Sequence, residues 1–351
     1  MDFVIFIDYN VKSTVSLSKD IEYEYYQNNK GKIFCDTVTF SNKKIKISGS
    51  RDGTIDIENC WRSKKSNYKR CIISSLFYTY NFYKEPIKDI KISIQVKEKT
   101  LPIPFINEFN HYLETTLKID DRLIQKLFKS VTCEKLSNMI YSLLYNQVLF
   151  VKDNDFYFSY RMFNAIYTYI YQDRKNNSDR KPDKEAIVDV LKSVKVAQVQ
   201  NSIDLANNFW DTQNQEIHKL IYTWLIEENV KQNSFSAKIG YSDFHYSHIK
   251  ILMIIHDIFK KRYDIDCNKN HKLPEGFKGF KKKLNEASSD DPLNYIQLIA
   301  LYANYRRNKI LHGEQVDSSL FIPDINSDIL KEISEIICQL SIDLVNSLEL
   351  Q

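Results

Sequence analysis

Three side chains that together could act on a phosphodiester lie close to one another in the segment Tyr305–Gly313. Arg307 offers a planar fork of donors that matches two phosphate oxygens. His312 can exchange a proton near neutral pH, and Asn308 can hydrogen-bond the phosphate or fix the imidazole tautomer. Attack of a 2′-hydroxyl on the adjacent phosphate of RNA needs a proton acceptor, a proton donor and a cation, and it needs no metal. Arg307, Asn308 and His312 are therefore of the types that could serve metal-independent cleavage of RNA at one site.

The element that must position these side chains is a helix predicted over Asn294–Leu311. Gly313 stands where a helix end favours a left-handed residue, so His312 falls in the last turn, where the helix dipole favours the imidazolium form. At about 100° per residue, one stripe of this helix faces the core and a second stripe lies opposite. The core stripe is Ile299, Ala303, Arg306 and Ile310, and the opposite stripe is Leu301, Asn304, Asn308 and His312, with Arg307 on its flank.

The order of these residues resembles the signature of the HEPN superfamily, which is an arginine, four to six residues and a histidine, with asparagine often directly after the arginine. Arg307 to His312 fits that pattern, including Asn308. Arg306 also falls within the spacing, but it lacks the following asparagine and lies on the apolar stripe. A long amphipathic helix follows at Ser327–Leu348, as in that family. The resemblance implies a HEPN-like helical bundle and a metal-independent RNA endonuclease that needs no cofactor.

A narrower resemblance is to the Apea-like HEPN proteins of bacterial anti-phage defence, which tend to place a β-rich domain before the helices. The segment Ile72–Val96 has a helix, a turn with proline and a strand of alternating isoleucines, similar to a segment of those proteins. Tyr160–Phe163 begins a long helix that looks like their first HEPN helix. This resemblance implies a defence or toxin-like effector with RNA as its substrate.

The chemistry also predicts the assembly. One Arg307–His312 pair supplies one cation and one proton-transfer group, whereas the reaction is best served by two proton-transfer groups. We therefore predict a homodimer whose two-fold axis passes between the helices that end at Gly313, so that both copies of His312 share one cleft. The stripe that carries Leu301 and Asn304 is then expected at or beside the subunit interface.

Two other interpretations of the same residues stay open. In the first, His312 only caps the helix and Arg307 is a solvated surface charge. In the second, the chain is a non-catalytic HEPN module that binds nucleotide, RNA or a protein partner and uses Arg307 only as a phosphate contact. Metal-independent cleavage that is lost in a His312→Ala variant would select the enzyme over both.

The spacing of apolar residues predicts an α+β chain, with a β-rich N-terminal domain followed by an all-α C-terminal region. The predicted limits are 1–99 for the β-rich domain, 100–155 for a helical connector and 156–351 for the HEPN-like domain, with insertions around 173–183 and 231–291. Two prolines in the segment Leu101–Pro104 predict an extended boundary where few ladder hydrogen bonds can form.

The individual elements follow from the same spacing. Strands are predicted at Phe3–Ile7, Ile33–Phe40, Ile45–Ile47, Ile55–Ile57 and Ile90–Val96, with the third and fourth joined as a hairpin across Gly49–Gly53. Helices are predicted over Tyr68–Tyr83, Asn107–Leu117, Asp120–Lys129, Cys133–Val151, Phe156–Asp173 and Asp183–Phe209, in addition to the two near the end of the chain.

Composition excludes several other classes. The 351 residues are 43% hydrophobic and 27% charged, which is typical of a globular chain, and the formal charge of +4 does not by itself indicate a nucleic-acid partner. The sequence has neither a P-loop nor a Gly-x-Gly-x-x-Gly run, and its six cysteines form no Cys-x-x-Cys pair. We expect no cofactor, no bound metal and no disulfide. A start without a signal-peptide pattern and the lack of a long apolar run predict a cytoplasmic protein away from membranes.

Three further clusters of residues give weaker support for a functional site. His245, His248 and His256 have no carboxylate or cysteine at ligand spacing, so structural histidines are preferred over a metal site. The run Gly276–Lys283 combines two phenylalanines with four lysines, which fits either RNA contact or the exposed start of an amphipathic helix. A second basic cluster, interpreted as an exposed hairpin end, consists of Lys64, Lys65, Lys69 and Arg70.

Overall fold

The computed structural model describes residues 1–63, 65–85, 87–104, 119–153, 155–175, 183–213, 292–311 and 325–348. The chain divides into two compact units. The first unit comprises residues 1–178 and 338–351, and the second comprises residues 179–337. The first contains a β-sheet with helices, and every described element of the second is helical. The predicted α+β class with strands first and helices later is confirmed.

The first unit is built on an antiparallel sheet of six strands in the described residues, in the order β2-β3-β4-β1-β5-β6. Alternation along β1 places Phe3, Ile5 and Ile7 in the core and leaves Asp2, Phe6 and Asp8 exposed, as expected for a sheet with one buried face. The strands are β1 (Asp2–Asn10), β2 (Lys19–Gln27), β3 (Ile33–Ser41), β4 (Lys44–Ser50), β5 (Lys88–Val96) and β6 (Lys99–Ile103).

Helix α1 (Asn67–Tyr83) packs on the buried face of this sheet. Its N-terminus is capped by Ser66, whose side chain accepts a hydrogen bond from the Lys69 backbone nitrogen, and it ends where Lys84 adopts a left-handed conformation with φ of 53°. Aromatic pairs fix it to the sheet, because Tyr68 lies 4.9 Å from Phe3 between ring centroids. Two further such pairs are Tyr78 with Phe40 and Tyr83 with Tyr9.

The predicted hairpin across Gly49–Gly53 is wrong. Strand β4 pairs with β3 through a tight turn at Ser41–Lys44, and its other neighbour is β1. Ile55–Ile57 forms no strand, although Ile57 is buried. The turn residue Lys43 has φ of 59°, a conformation usually signalled by glycine or asparagine. Two strands that the sequence analysis did not predict, β2 and β6, form the edges of the sheet.

The boundary predicted at Leu101–Pro104 is part of a strand. Residues up to Ile103 belong to β6, which pairs with β5, and Pro102 stands opposite Ser93 in that pair. Proline is tolerated there because β6 is an edge strand, where one side of the backbone needs no ladder partner.

The other helices of the first unit follow the sheet. Helix α2 (Asp121–Ile124) continues as a 3₁₀ turn over Gln125–Phe128, and α3 (Glu134–Asp153) packs against α4 (Phe156–Lys175). These agree with the helices predicted from Asp120, Cys133 and Phe156, while the helix predicted over Asn107–Leu117 lies outside the described residues.

Buried Glu24 of β2 anchors the segment before α3. Its carboxylate accepts hydrogen bonds from the Thr132 backbone nitrogen at 2.8 Å and from the Thr132 hydroxyl, and it pairs with Lys129 Nζ at 3.1 Å.

Four helices form the described part of the second unit. They are α5 (Asp183–Ser193), α6 (Gln200–Thr212), α7 (Asn294–Leu311) and the first part of α8 (Ile325–Asn346), which continues into the first unit. The single helix predicted over Asp183–Phe209 is therefore divided. A 3₁₀ turn at Val196–Gln198 separates α5 from α6, and the Gln198 side chain accepts a hydrogen bond from the Lys195 backbone nitrogen at 2.9 Å. The predicted apolar stripe of α8, from Ile329 to Leu344, is buried as expected.

Candidate functional site

The helix that carries the candidate site is buried through its middle part. Helix α7 packs against α5 and α6, and its residues from Ile296 to Asn304 are all buried. The sequence of this stretch explains the burial, because apolar side chains occupy every face of the helix rather than one stripe. After the buried stretch, the helix is partly exposed at Arg307 and Asn308. These two residues of the predicted site thus lie where α7 leaves the core.

Arg307 is positioned by two neighbours. Its Nη1 donates a hydrogen bond to Asn308 Oδ1 at 2.8 Å. The same nitrogen lies 3.7 Å from Asp183 Oδ2, in an ion pair whose side chains are 28% and 45% exposed for Arg307 and Asp183. This distance is too long for a hydrogen bond, so Asp183 acts on the guanidinium through charge alone. The arrangement holds a cation at the surface of the helical unit.

Asp183 is the member of this cluster that the sequence analysis did not identify. It is the first residue of α5 and was counted with the polar segment 173–183. No local pattern connects it with Arg307, because the two residues are far apart in the chain and meet only when α5 packs on α7. The only signal that could have drawn attention to it is an acidic residue at a predicted helix start.

The structure brings together two of the three predicted site residues. Arg307 and Asn308 are in contact, whereas His312 lies outside the described residues, as does the predicted cap Gly313. The predicted proton-transfer group therefore has no described position.

Arg306 faces the core, as its place on the apolar stripe predicted. It is 8% exposed, and Ile299 and Ala303 on the same stripe are fully enclosed. Within the part of the chain that the structure describes, Arg306 Nε is buried and has no hydrogen-bond partner. A buried donor without a hydrogen-bond partner is energetically unfavourable, because it has lost its water without replacement.

Two residues of the stripe predicted at or beside the subunit interface are buried within one chain. Leu301 and Asn304 are 4% and 1% exposed within a single chain, so neither side chain is available to a second copy. The reason is that α7 is surrounded by other helices, which the helical period of the sequence does not reveal. Only Asn308 among the described members of that stripe reaches the surface.

The basic cluster before α1 is not a hairpin end. Lys65 and Lys69 are exposed at the start of α1, and Arg70 is partly buried in its first turns. Arg70 Nη2 donates to Ser137 Oγ at 3.0 Å, which gives this arginine a structural role. Lys64 is outside the described residues, as are the histidines His245, His248 and His256 and the run Gly276–Lys283.

Within the described ranges, no three histidine, cysteine, aspartate or glutamate side chains come together as metal ligands, and no described helix has the length and apolar character needed to cross a bilayer. Comparisons of this chain with protein-family models, with curated proteins and with solved structures returned no match.

Proposed function

We propose that this protein is a metal-independent RNA endonuclease whose helical region is a HEPN-like bundle, and that it acts as a defence or toxin-like effector. The observation that carries the proposal is the setting of Arg307, a partly exposed guanidinium at the end of a buried helix. It is held by Asn308 Oδ1 at 2.8 Å and faces Asp183 Oδ2 at 3.7 Å. A cation fixed in this way is pre-organised to bind a phosphate.

The proposed reaction is an attack of the RNA on itself. The 2′-oxygen forms a bond to the adjacent phosphorus while the bond from phosphorus to the 5′-oxygen breaks. His312 accepts the proton of the attacking hydroxyl, and a second proton-transfer group protonates the leaving 5′-oxygen. Arg307 stabilises the negative charge that develops on the non-bridging oxygens, and Asn308 orients Arg307. The products are a 2′,3′-cyclic phosphate and a 5′-hydroxyl.

We propose that the second proton-transfer group is supplied by a second copy of the chain in a homodimer. Because Leu301 and Asn304 are enclosed within one chain, the two copies would meet at the end of α7 rather than along it. Light scattering on the purified protein tests this arrangement. A monomer at the concentration at which the protein is fully active would exclude the composite site.

The decisive experiment is incubation of the purified full chain with RNA in EDTA. Arg307→Ala and His312→Ala are expected to lower the cleavage rate by about 100-fold or more while Tm stays unchanged. Arg122→Ala is the matched control, since Arg122 is exposed and, among the described residues, forms an ion pair with nearby Asp120. A substrate with 2′-deoxyribose at the cut site should resist cleavage. A strict need for Mg²⁺, or products with a 5′-phosphate, would contradict the proposed chemistry.

The same experiment separates the enzyme from a non-catalytic HEPN module. In that alternative, wild-type protein binds RNA without cutting it, and Arg307→Ala weakens binding while His312→Ala does not. Electrophoresis of the RNA and a parallel binding measurement distinguish the two outcomes.

A further inference from the structure

Three aromatic rings gather at one end of the sheet in the first unit, at the hairpin that joins β2 to β3. The Phe34 ring centroid lies 5.8 Å from that of Tyr26 and 6.4 Å from that of Tyr25. Tyr26 is 53% exposed although it lies on an edge strand, where exposed apolar rings invite unwanted pairing. An aromatic residue that stays exposed at such a position is typical of a surface that contacts a ligand or partner.

A bulge in β2 produces this grouping. The register between β2 and β3 shifts between Glu24, which pairs with Cys35, and Tyr26, which pairs with Phe34, so Tyr25 is the extra residue. A bulge of this kind redirects the side chains that follow it. Tyr25 is then fixed in place, because its hydroxyl donates to the Ser50 carbonyl at 3.2 Å.

Two lysines stand beside the rings on a rigid turn. Asn28 Oδ1 accepts hydrogen bonds from the backbone nitrogens of Lys30 and Lys32, at 3.0 and 2.9 Å. Gly31 completes the turn with φ of 80°, a conformation that glycine adopts without strain. Lys32 Nζ lies 5.1 Å from the centre of the Phe34 ring, and Lys30 is exposed. The Phe34 ring and the Lys32 cation are therefore held together before any ligand arrives.

The turn itself carries positive charge, since Lys30 and Lys32 are the charged residues between Tyr25 and Phe34. No acidic residue occurs between Tyr25 and Phe34. Asp36, the next acidic residue along β3, receives two hydrogen bonds from Arg51 at 2.6 and 2.7 Å. Glu24 is paired with Lys129. Lys30 and Lys32 consequently remain as charges with no described carboxylate in an ion pair with them.

We propose that this surface, formed by Tyr25, Tyr26, Phe34, Lys30 and Lys32 and called here the aromatic hairpin, binds single-stranded RNA. The exposed Tyr26 ring beside lysines that have no described ion pair matches an unpaired base linked to phosphates, since the base stacks on the ring and the lysines neutralise the backbone. Tyr25 supports this surface from within, because the Arg51 guanidinium already lies 3.7 Å from the centre of its ring. A duplex does not fit, because its bases already stack on one another. The choice of RNA over DNA rests on the proposed function, whereas the binding itself does not require cleavage.

The test measures binding in the full chain carrying His312→Ala, with a fluorescent single-stranded RNA and fluorescence anisotropy. Tyr26→Ala is expected to weaken binding by about 5- to 100-fold, the usual loss for removal of one stacking ring. Tyr26→Phe and Tyr26→Trp should retain binding, because stacking needs the ring and not the hydroxyl. The matched control is Tyr145→Ala, since Tyr145 is a 39% exposed tyrosine of α3 that stacks on Tyr141.

The lysines are tested through the salt dependence of the same binding. Each phosphate contact contributes about 0.7 to the slope of log affinity against log salt for a single strand, so the double variant Lys30→Gln/Lys32→Gln should lower that slope by about 1.4. The control Lys46→Gln/Lys91→Gln removes the same charge from exposed positions on β4 and β5, and it should leave the slope within experimental error.

Three results would overturn the inference. The full chain could fail to bind RNA, or Tyr26→Ala and Tyr145→Ala could lose the same amount of binding affinity. The third is a Tyr26→Ala variant that binds an RNA duplex as tightly as the wild type binds the single strand. Equal affinity for single-stranded DNA of the same sequence would overturn the choice of RNA. Failure of the proposed function can be distinguished from failure of this inference. If the wild-type protein binds RNA but never cleaves it, the Tyr26→Ala variant should still bind RNA more weakly than the wild type.

Discussion

The ion pair between Arg307 and Asp183 gives the sharpest prediction about the proposed site. The two charged atoms lie 3.7 Å apart. Two unit charges at this distance in bulk water attract each other by about 1 kcal/mol. Exposed ion pairs usually contribute about 0.2–1 kcal/mol to stability once the cost of ordering their side chains is included. Because Asp183 is nearly half exposed, Asp183→Ala should lower the free energy of unfolding by less than about 1 kcal/mol. Its Tm should stay within about 3 °C of wild type.

The effect on cleavage should be of the same modest size and should act through Arg307. A loss of about 0.5–1 kcal/mol in the positioning of the guanidinium corresponds to a 2- to 5-fold lower kcat, far less than the loss in Arg307→Ala. The difference should shrink at 1 M salt, where exposed charges are screened. In an Arg307→Ala background, Asp183→Ala should have no further effect on cleavage, because the guanidinium on which Asp183 acts has already been removed.

Three outcomes would refute this account of Asp183. If Asp183→Ala abolishes cleavage at an unchanged Tm, the carboxylate takes part in the chemistry. If the variant is faster than wild type, the carboxylate competes with the phosphate for Arg307. If the variant loses several kcal/mol of stability, the pair is structural. Cleavage assays at two salt concentrations, together with urea unfolding, distinguish these cases.

Three further predictions concern stability and are checked by urea unfolding. Arg306→Met should raise the free energy of unfolding by about 1 kcal/mol, because it removes a buried Nε donor that has no described hydrogen-bond partner and keeps the apolar stem. A loss of stability would show that the guanidinium is paired through its other nitrogens. Glu24→Ala should cost about 1–3 kcal/mol, because the partly exposed donors of Thr132 and Lys129 lose the buried carboxylate that accepts from them. Burial raises the pKa of Glu24, but hydrogen bonds from Thr132 and Lys129 outweigh it and hold this pKa below the ordinary value of 4.5. The stability that Glu24 contributes is therefore present above that pH and is lost as the pH falls below it. Glu24→Ala should accordingly flatten the dependence of the free energy of unfolding on pH in this acidic range. Gly49→Ala should destabilise the sheet, because a Cβ there would overlap the Asp36 carboxylate and the Phe3 ring.

The strands that could be predicted from the sequence are those with strong alternation on a buried face. β1, β3, β4 and β5 each alternate apolar and polar residues, and the structure confirms them. The edge strands β2 and β6 were missed, since an edge strand buries less and carries charged or proline residues that weaken the pattern. The partner of β4 was also missed, because the turn before it uses a lysine at positive φ instead of glycine.

The candidate site could be predicted only in part, because residue types identify chemistry but not neighbours. Arg307 and Asn308 were found from their spacing, and their hydrogen bond follows from adjacency on one helix. Asp183 could not be found, since its contact with Arg307 depends on how α5 packs on α7. The aromatic hairpin was missed for a similar reason, because a bulge and a turn bring together residues of two strands.

The burial of α7 gives a physical reason for the place of the proposed site. The helical period predicted that Asn304 would face outward, yet its amide lies in the core, because a period does not distinguish a buried polar residue from an exposed one. A helix enclosed from Ile296 to Asn304 is held by packing on every side, so its final turns are positioned by the core rather than by a loop. Arg307 emerges there, near a helix end whose dipole favours a cation. A charged group mounted on a rigid, buried helix needs little reorganisation when a phosphate arrives, which is the property that catalysis by charge stabilisation requires.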